Sequence, residues 1–252
     1  MSHISYKIEN NIGFLNFNRP DKYNAFHKEL LEELSDLLTK EDKNNELKVL
    51  IISGEGKAFS SGVDLKSLLD LKTVEQAREF ALLLESTSEK IYNFSKPTIA
   101  LVNGLALGGG FGYATAADIR IMSLSAKVGY PAVKLGAILP ATCTMYLNSL
   151  IGEGRSIDLL LTGRMLQADE AFQMGLVNYI TTKEMLTDFA IEKAKQIIEA
   201  PNLALLYTKN TVHFTTKKEI EAAKLYAADN FAFLSQTNEW QKRMNDFANK
   251  KK

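Results

Sequence analysis

The stretch Asn103-Gly104-Leu105-Ala106-Leu107-Gly108-Gly109-Gly110-Phe111-Gly112 follows directly after the apolar run from Pro97 to Val102. A short and nearly continuous apolar run of this kind predicts a strand that is buried on both faces of a parallel sheet. Glycine lets the backbone approach a ligand closely and turn its N–H groups outward. If Gly108 to Gly110 lead into a helix, the helix N-terminus adds positive potential at the same point.

A second glycine segment stands earlier in the chain. The strand-like run from Lys48 to Ser53 is followed by a stretch from Gly54 to Leu65 that includes Gly56 and Gly62. Two N–H groups from the two segments, converging on one carbonyl oxygen, would stabilise an oxyanion or enolate. For either segment taken alone, tight turns and close packing are the simpler explanation. Neither segment has the spacing of a P-loop or of the dinucleotide-binding fingerprint.

Strands and helices alternate on both sides of these segments. Two short strands are predicted around Asn10-Asn11, a helix after Asn24 as its N-cap, a helix from Val74 to Ile91 and a strand from Ile119 to Ser123. This alternation predicts an α/β fold with right-handed crossovers. After about Gly152 the pattern is mainly helical, with helices at 187–200 and 219–249. We therefore expect a core at residues 1–195 and a helical C-terminal subdomain at residues 196–252, which packs on the sheet or on a neighbouring subunit.

Composition limits the classes of function. The chain has 252 residues, 46% of them hydrophobic, and its 30 Lys and Arg balance 30 Asp and Glu. Zero formal net charge argues against a globally basic nucleic-acid binder, and the lysines at 217–218 and 250–252 give little support for RNA binding. Cys143 is the single cysteine, so no internal disulfide forms, and residues 1–10 lack an apolar signal core. These features predict a cytoplasmic protein without a membrane span. We also expect no metal and no separate cofactor.

Several motifs, taken together, resemble the crotonase (enoyl-CoA hydratase/isomerase) superfamily. They occur in the family's order from about residue 12 to residue 180, whereas the C-terminal helices fit by character only. The motifs are Asn18-Arg19-Pro20 with Asn24-Ala25, Phe59 to Lys66, Lys96 to Gly104 with Gly108 to Gly110, Ala117-Asp118, Leu161-Thr162-Gly163, Ala168 to Ala171 and Gly175-Leu176-Val177.

The resemblance implies a spiral fold of ββα units that assembles as a homotrimer or as a hexamer. It also implies an acyl-CoA thioester as substrate, with coenzyme A as part of that substrate. The two backbone N–H groups that hold the thioester oxygen fall on Val63 and Gly109. The residues expected on the CoA side are Lys22, Ala25, Ser61, Val63, Asp64, Leu65, Lys66 and Gly109.

The chain departs from the family at two positions. The family's hydratases use two glutamates for general acid and base catalysis, and here Gly112 and Ala132 stand in their places. Loss of each group costs a factor of about 10²–10⁴ in rate. Ordinary hydration is therefore doubtful. Loss of carboxylate from a malonyl-type thioester needs mainly enolate stabilisation, whereas double-bond isomerisation also needs one movable proton carrier from another position. Two glutamates would also repel the carboxylate of such a substrate.

Few side chains are available as replacements. Tyr113 and Tyr130 lie next to the lost positions and could donate a proton, although core packing explains both more simply. Cys143 reads as a small buried thiol, because no histidine is close to it in sequence. Asp64 and Asp118 read as structural. Asp70 and Glu85 lie where a lid of the pocket could form, although a solvated helix face explains both more simply. We expect His27 at a helix surface.

Two functions of different class remain. The first is an enzyme of the enoyl-CoA hydratase/isomerase type, a lyase or isomerase of lipid metabolism, that stabilises a thioester enolate. The second is a catalytically inactive acyl-CoA-binding protein on the same scaffold, which the residues Gly112 and Ala132 favour.

Overall fold

The computed structural model describes residues 2–249, without the side chains of Glu221 and Ala222. Its strands are β1 (Ile4–Glu9), β2 (Ile12–Phe17), β3 (Val49–Gly54), β4 (Ala58–Ser60), β5 (Thr98–Val102), β6 (Leu105–Leu107), β7 (Ile119–Ser123), β8 (Lys127–Gly129), β9 (Met165–Gln167) and β10 (Tyr179–Thr181). Its α-helices are α1 (Lys28–Glu41), α2 (Leu65–Leu69), α3 (Val74–Tyr92), α4 (Gly109–Ala116), α5 (Ala141–Ile151), α6 (Glu153–Thr162), α7 (Ala168–Gln173), α8 (Leu186–Ile198), α9 (Asn202–Ser235) and α10 (Asn238–Asn249). Short 3-10 turns occupy Pro20–Lys22 and Pro131–Leu135.

Two sheets organise the first two-thirds of the chain. The larger has the strand order β1-β2-β3-β5-β7-β10, and all its neighbours are parallel except β1 and β2. The smaller has the order β4-β6-β8-β9, and only β9 is antiparallel. Along the chain, successive strands alternate between the two sheets. Strands β3, β5 and β7 belong to the larger sheet, and the strands that follow them, β4, β6 and β8, belong to the smaller one. This repeat confirms the predicted α/β class and its spiral of ββα units.

Burial explains why the central strands are continuously apolar. All six residues of β3 and all five of β5 are buried. On one face, Val49, Ile51 and Ile99 pack against Leu186 and Ala190 of α8. The main core covers the opposite face, and parallel strands that are covered on both sides have no polar face to present. The carboxyl ends of β3 and β5 lead into the two glycine segments.

The structure corrects several details of the sequence-based elements. Asn24 is not the N-cap of α1, because that helix begins at Lys28 after His27, and Asn24 instead lies in a turn with φ of 55°. The helix predicted at 219–249 is two helices, α9 and α10, with a break at residues 236–237. The predicted boundary between residues 195 and 196 falls inside α8, and the division into two domains stays a prediction.

A buried polar cluster attaches α9 to the amino ends of β5 and β7. Asp118 accepts hydrogen bonds from Thr98 N (2.8 Å) and Lys209 Nζ (2.8 Å), and its other oxygen lies 3.5 Å from His213 Nε2. The His213 ring stacks on Tyr92 with centroids 3.8 Å apart. Burial lowers the pKa of His213 to about 4. Asp118 thus has the structural role that its sequence context predicted.

No helix among residues 2–249 is both long enough and apolar enough to cross a membrane.

Candidate active site

The turn around residues 22–26 lies alongside the first glycine segment. Ser61 N donates to Tyr23 O (2.9 Å), Phe26 N to Gly62 O (2.7 Å) and Asp64 N to Phe26 O (2.7 Å). These bonds make a short parallel bridge between two stretches that are far apart in sequence. The structure therefore brings Lys22 and Ala25 beside the predicted strip from Ser61 to Lys66.

The buried side chain of Asn24 fixes this turn in place. Its Oδ1 accepts from Arg19 N (2.9 Å), and its Nδ2 donates to Glu55 O (3.0 Å) and Ala58 O (2.8 Å). Every polar atom of the amide is therefore used within the protein, as burial requires. Of the two predicted CoA-side residues in the turn, Lys22 is exposed and Ala25 is 7% exposed.

The two glycine segments are in contact. Gly62 has a φ of +89°, and a Cβ added there would lie 2.6 Å from Leu107 O and 3.5 Å from Gly109 N. A Cβ added to Gly109 would lie 4.0 Å from Val63 Cγ2. A residue with a Cβ at position 62 would be strained in this left-handed conformation and would collide with the carbonyl oxygen of Leu107, so the position requires glycine. The tertiary structure thus places Gly62 and the side chain of Val63 against the segment from Leu107 to Gly109.

The N–H groups of Val63 and Gly109 have no hydrogen-bond acceptor among residues 2–249. Gly109 is the first residue of α4, so its N–H has no partner within the helix. The parallel bridge uses the Phe26 and Asp64 amides and leaves that of Val63 unbonded. Both N–H groups are therefore unbonded within the described residues, and the α4 N-terminus adds positive potential at Gly109.

Asp64 organises the entrance to this region. Its Oδ1 accepts from Lys66 N (2.9 Å) as the N-cap of α2, and its Oδ2 accepts from Arg19 Nη2 (3.1 Å). Arg19 also donates through Nη1 to Ala25 O (2.5 Å). Lys66 is exposed, and its bond to Asp70 (2.8 Å) raises the pKa of the lysine. Asp64 is a structural residue, as predicted, and Asp70 lies on the solvated helix face that was expected for it.

A cleft of about 600 Å³ lies beside the loop that carries Val63 and Asp64. It contains Asp64 and Lys66 of the predicted CoA side, but neither Val63 nor Gly109. Arg19 and His27 line one part of it, and Phe80 lines another. The cleft therefore includes part of the predicted CoA side and not the two predicted N–H donors.

The first lost glutamate position is filled by a neighbouring side chain. A Cβ added to Gly112 would lie 2.1 Å from Cys143 Sγ and 2.8 Å from Cys143 Cβ. Cys143 is fully buried, and burial raises the pKa of its thiol. The prediction of a small, inert, buried thiol is therefore consistent with its surroundings. Glycine at position 112 is therefore matched to Cys143. Any residue with a Cβ at position 112 would collide with this cysteine.

The second lost position lies in an apolar turn. Ala132 is half-buried in the 3-10 turn, and its carbonyl accepts from Ala137 N (3.0 Å). Tyr113 donates its hydroxyl to Leu84 O (3.0 Å), which commits it to the core. Tyr130 is 1% exposed, and its hydroxyl has no partner among the described residues. Burial raises the pKa of both tyrosines, so neither ionises near neutral pH.

Sequence reasoning missed or misjudged three residues of this region. Arg19 was recognised only as part of a motif, and its bonds to Ala25 and Asp64 depend on a turn that no periodicity predicts. His27 is not on an open helix surface: its side chain is 16% exposed and its Nδ1 lies 2.9 Å from Arg19 Nη1. Glu85 is not on a solvated face, because it is 1% exposed.

Metal-ligating side chains do not converge anywhere in the described part of the chain: no three of His, Cys, Asp or Glu are grouped closely enough to hold an ion. The absence of a metal or separate cofactor stays a prediction.

A ββα spiral with two apposed glycine loops defines the scaffold of the crotonase class. The family model described as "Enoyl-CoA hydratase/isomerase" matches residues 7–252, and the chain belongs to this family. The chain is 35% identical over 251 residues to a crotonyl-CoA hydratase of Syntrophomonas wolfei, with coverage of 99% of this chain and 96% of the relative.

Other members of the family carry out different chemistry. A 4-chlorobenzoyl coenzyme A dehalogenase of Arthrobacter is 29% identical, with coverage of 90% of this chain and 84% of the relative. The crystal structure of an enoyl-CoA hydratase from Bacillus halodurans superposes with a TM-score of 0.91 at 26% identity, covering 97% of this chain and 100% of that one. The resemblance that was predicted from the motifs is confirmed.

Proposed function

We propose that this protein is an acyl-CoA enzyme that stabilises a thioester enolate with the backbone N–H groups of Val63 and Gly109. The observation that supports the proposal is that the two loops are in contact at Gly62 and Gly109, while the N–H groups of Val63 and Gly109 have no acceptor among residues 2–249. Preorganised donors of this kind act on charge that develops in the transition state and need no reorganisation. The names of the family's relatives support a CoA thioester as the ligand class.

The reaction that fits the rest of the pocket is one that does not add water. Gly112 and Ala132 carry no carboxylate, and the space beside Gly112 is occupied by the Cys143 thiol. Water would therefore lack both its activating base and its position. Decarboxylation of a malonyl-type thioester releases CO₂, leaves its electron pair in the enolate and matches an uncharged pocket. Isomerisation of a double bond passes through an enolate as well, and it additionally needs one group that takes up the proton and returns it.

Turnover of a panel of CoA esters tests this proposal. Enoyl-, β-keto- and malonyl-type esters are incubated with stoichiometric enzyme, and products are identified by mass spectrometry. We expect a shifted double bond or loss of CO₂ with at least one ester, and little 3-hydroxyacyl product from crotonyl-CoA. Absence of any product with every ester contradicts catalysis. A matched variant, Gly109→Pro, removes one N–H donor and should abolish turnover.

The second candidate, an inactive acyl-CoA-binding protein, is favoured by the same two positions. Calorimetry separates the two candidates, because tight binding of an ester without product supports the binding protein. Restoring both carboxylates at positions 112 and 132 should create crotonyl-CoA hydration only when Cys143 is also replaced by glycine, since the cysteine occupies the volume that the new side chain needs.

We also propose assembly as a homotrimer or hexamer. Helix α9 carries large apolar side chains that are at least 60% exposed in the single chain: Leu203, Tyr207, Val212, Phe214, Tyr226 and Phe233. Clustered exposed apolar surface on a soluble protein is typical of an interface. Light scattering of the purified protein at micromolar concentration tests this proposal, and a monomer contradicts it.

A further inference from the structure

Glu85 is a buried carboxylate that the proposed chemistry does not use. It lies on α3 and is 1% exposed. Its Oε1 accepts a hydrogen bond from Ala141 N (2.5 Å), and its Oε2 accepts from Thr142 N (3.0 Å). Because both donors belong to the first turn of α5, this side chain joins two helices that are 56 residues apart in sequence.

Helix α5 has no other N-terminal cap. Its N-cap residue is Pro140, which provides no side-chain hydrogen bond. The first N–H groups of a helix have no partner within the helix, and a carboxylate there is favoured by the helix dipole. Burial raises the pKa of Glu85, and the two amide bonds oppose that effect. The carboxylate of α3 thus takes the place of the missing cap.

The segment that Glu85 holds forms a wall along the second glycine segment. Just before α5, Leu139 Cδ2 lies 3.9 Å from the point where a Cβ on Gly108 would stand. In the first turn of α5, the Cys143 thiol occupies the space beside Gly112. The residues 139–143 therefore run next to the loop that carries the Gly109 amide.

We infer that Glu85 is a positioning residue, which holds residues 139–143 against the Gly108–Gly112 segment and so sets the shape of the acyl side of the pocket. The consequence for turnover rests on the proposed function, whereas the structural consequence does not. Without the carboxylate, two buried N–H groups lose their acceptor, and the wall opens more often than the rest of the molecule.

The single cysteine provides a direct reporter of this opening. Cys143 is fully buried within the held segment, so a thiol reagent reacts only when the segment opens. We compare the labelling rates by 5,5′-dithiobis(2-nitrobenzoate) of the native protein, of Glu85→Gln and of Glu85→Ala. Glutamine keeps one acceptor oxygen without the charge, and we expect it to raise the rate about 10-fold, with a larger rise for alanine.

The matched control is Glu89→Gln, one turn further along α3. Glu89 pairs with Lys224 (3.3 Å) and does not bond the α5 amides. We expect its labelling rate to stay within about 2-fold of the native rate, because this partly buried pair joins α3 to α9 and not to α5. Urea unfolding of each variant gives the global unfolding constant, which separates local opening from global opening.

The outcomes are distinct. Faster labelling of the Glu85 variants, beyond the rise in their global unfolding constant, supports the inference. An unchanged rate, or a rise equal to that in the global constant, overturns it. If Glu85→Ala does not fold, the glutamine variant decides alone.

Turnover gives a second, separate measurement. Where the native protein converts an ester, we expect Glu85→Gln to lower kcat while KM changes little, since the CoA-side residues are untouched. If no ester is converted but labelling rises, the proposed function fails and the role of Glu85 stands. If an ester is converted and labelling does not change, the inference about Glu85 fails alone.

Discussion

Replacing Gly112 with alanine places a methyl carbon 2.1 Å from Cys143 Sγ and 2.8 Å from Cys143 Cβ. Rotation about χ1 of the cysteine moves its sulfur but not its Cβ, so the contact cannot be relieved by the side chain alone. Both residues are fully enclosed, Gly112 inside α4 and Cys143 inside α5. The pair therefore offers a test of whether these helices pack as described.

The magnitude follows from three effects. Overpacking of a core costs about 1–3 kcal/mol, and alanine gains about 1 kcal/mol over glycine inside a helix, so Gly112→Ala should destabilise by about 1 kcal/mol. Cys143→Ala leaves a small cavity, at about 1 kcal/mol. In the double variant the contact with the sulfur is gone, but the Cβ at position 143 still lies 2.8 Å from the new methyl group, so the stability should recover only in part. The coupling free energy is then about 1 kcal/mol.

Urea unfolding, followed by the fluorescence of the single buried tryptophan Trp240, measures all four proteins. The control is Gly154→Ala in α6, where an added Cβ meets no atom within 4 Å. It should not destabilise and should show no coupling to Cys143→Ala. Additive effects of the Gly112 and Cys143 substitutions, within about 0.5 kcal/mol, would refute the reasoning.

Three further predictions concern stability. Asn24→Ala should lower the free energy of unfolding by about 3 kcal/mol, because three backbone groups lose their partner; a loss below 1 kcal/mol by urea titration contradicts this. Asp64→Ala should cost about 1 kcal/mol through the lost cap of α2, and Asp64→Asn should recover most of it in thermal melts. His213 favours the neutral ring when folded, with a pKa of about 4 against about 6.5 unfolded, so stability is full above pH 6.5 and declines towards pH 4. His213→Phe should reduce that decline between pH 7.5 and 4.5; an equal decline in both proteins argues against it.

Local pattern predicted the central elements correctly, because continuous apolar runs and glycine segments have few alternative readings. The run from Pro97 to Val102 contains β5, and the motifs by themselves indicated the correct family. The same kind of reasoning gave a wrong prediction for the N-terminal turn. Asn24 is a residue type that often caps helices, but here its side chain donates to a backbone carbonyl of β4. Local preference was overruled there by bonds to residues about 34 positions away.

Residue identity alone determined that positions 112 and 132 carry no carboxylate and that one thiol exists in the whole chain. Only the tertiary structure decided that this thiol fills the space beside Gly112, that Glu85 is buried at the start of α5, and that the loops of Gly62 and Gly109 are in contact. The physical reason is that residue type and hydrophobic periodicity can be read from residues that are close together in sequence. Burial and hydrogen-bond partnership, in contrast, depend on which distant segments the fold brings into contact.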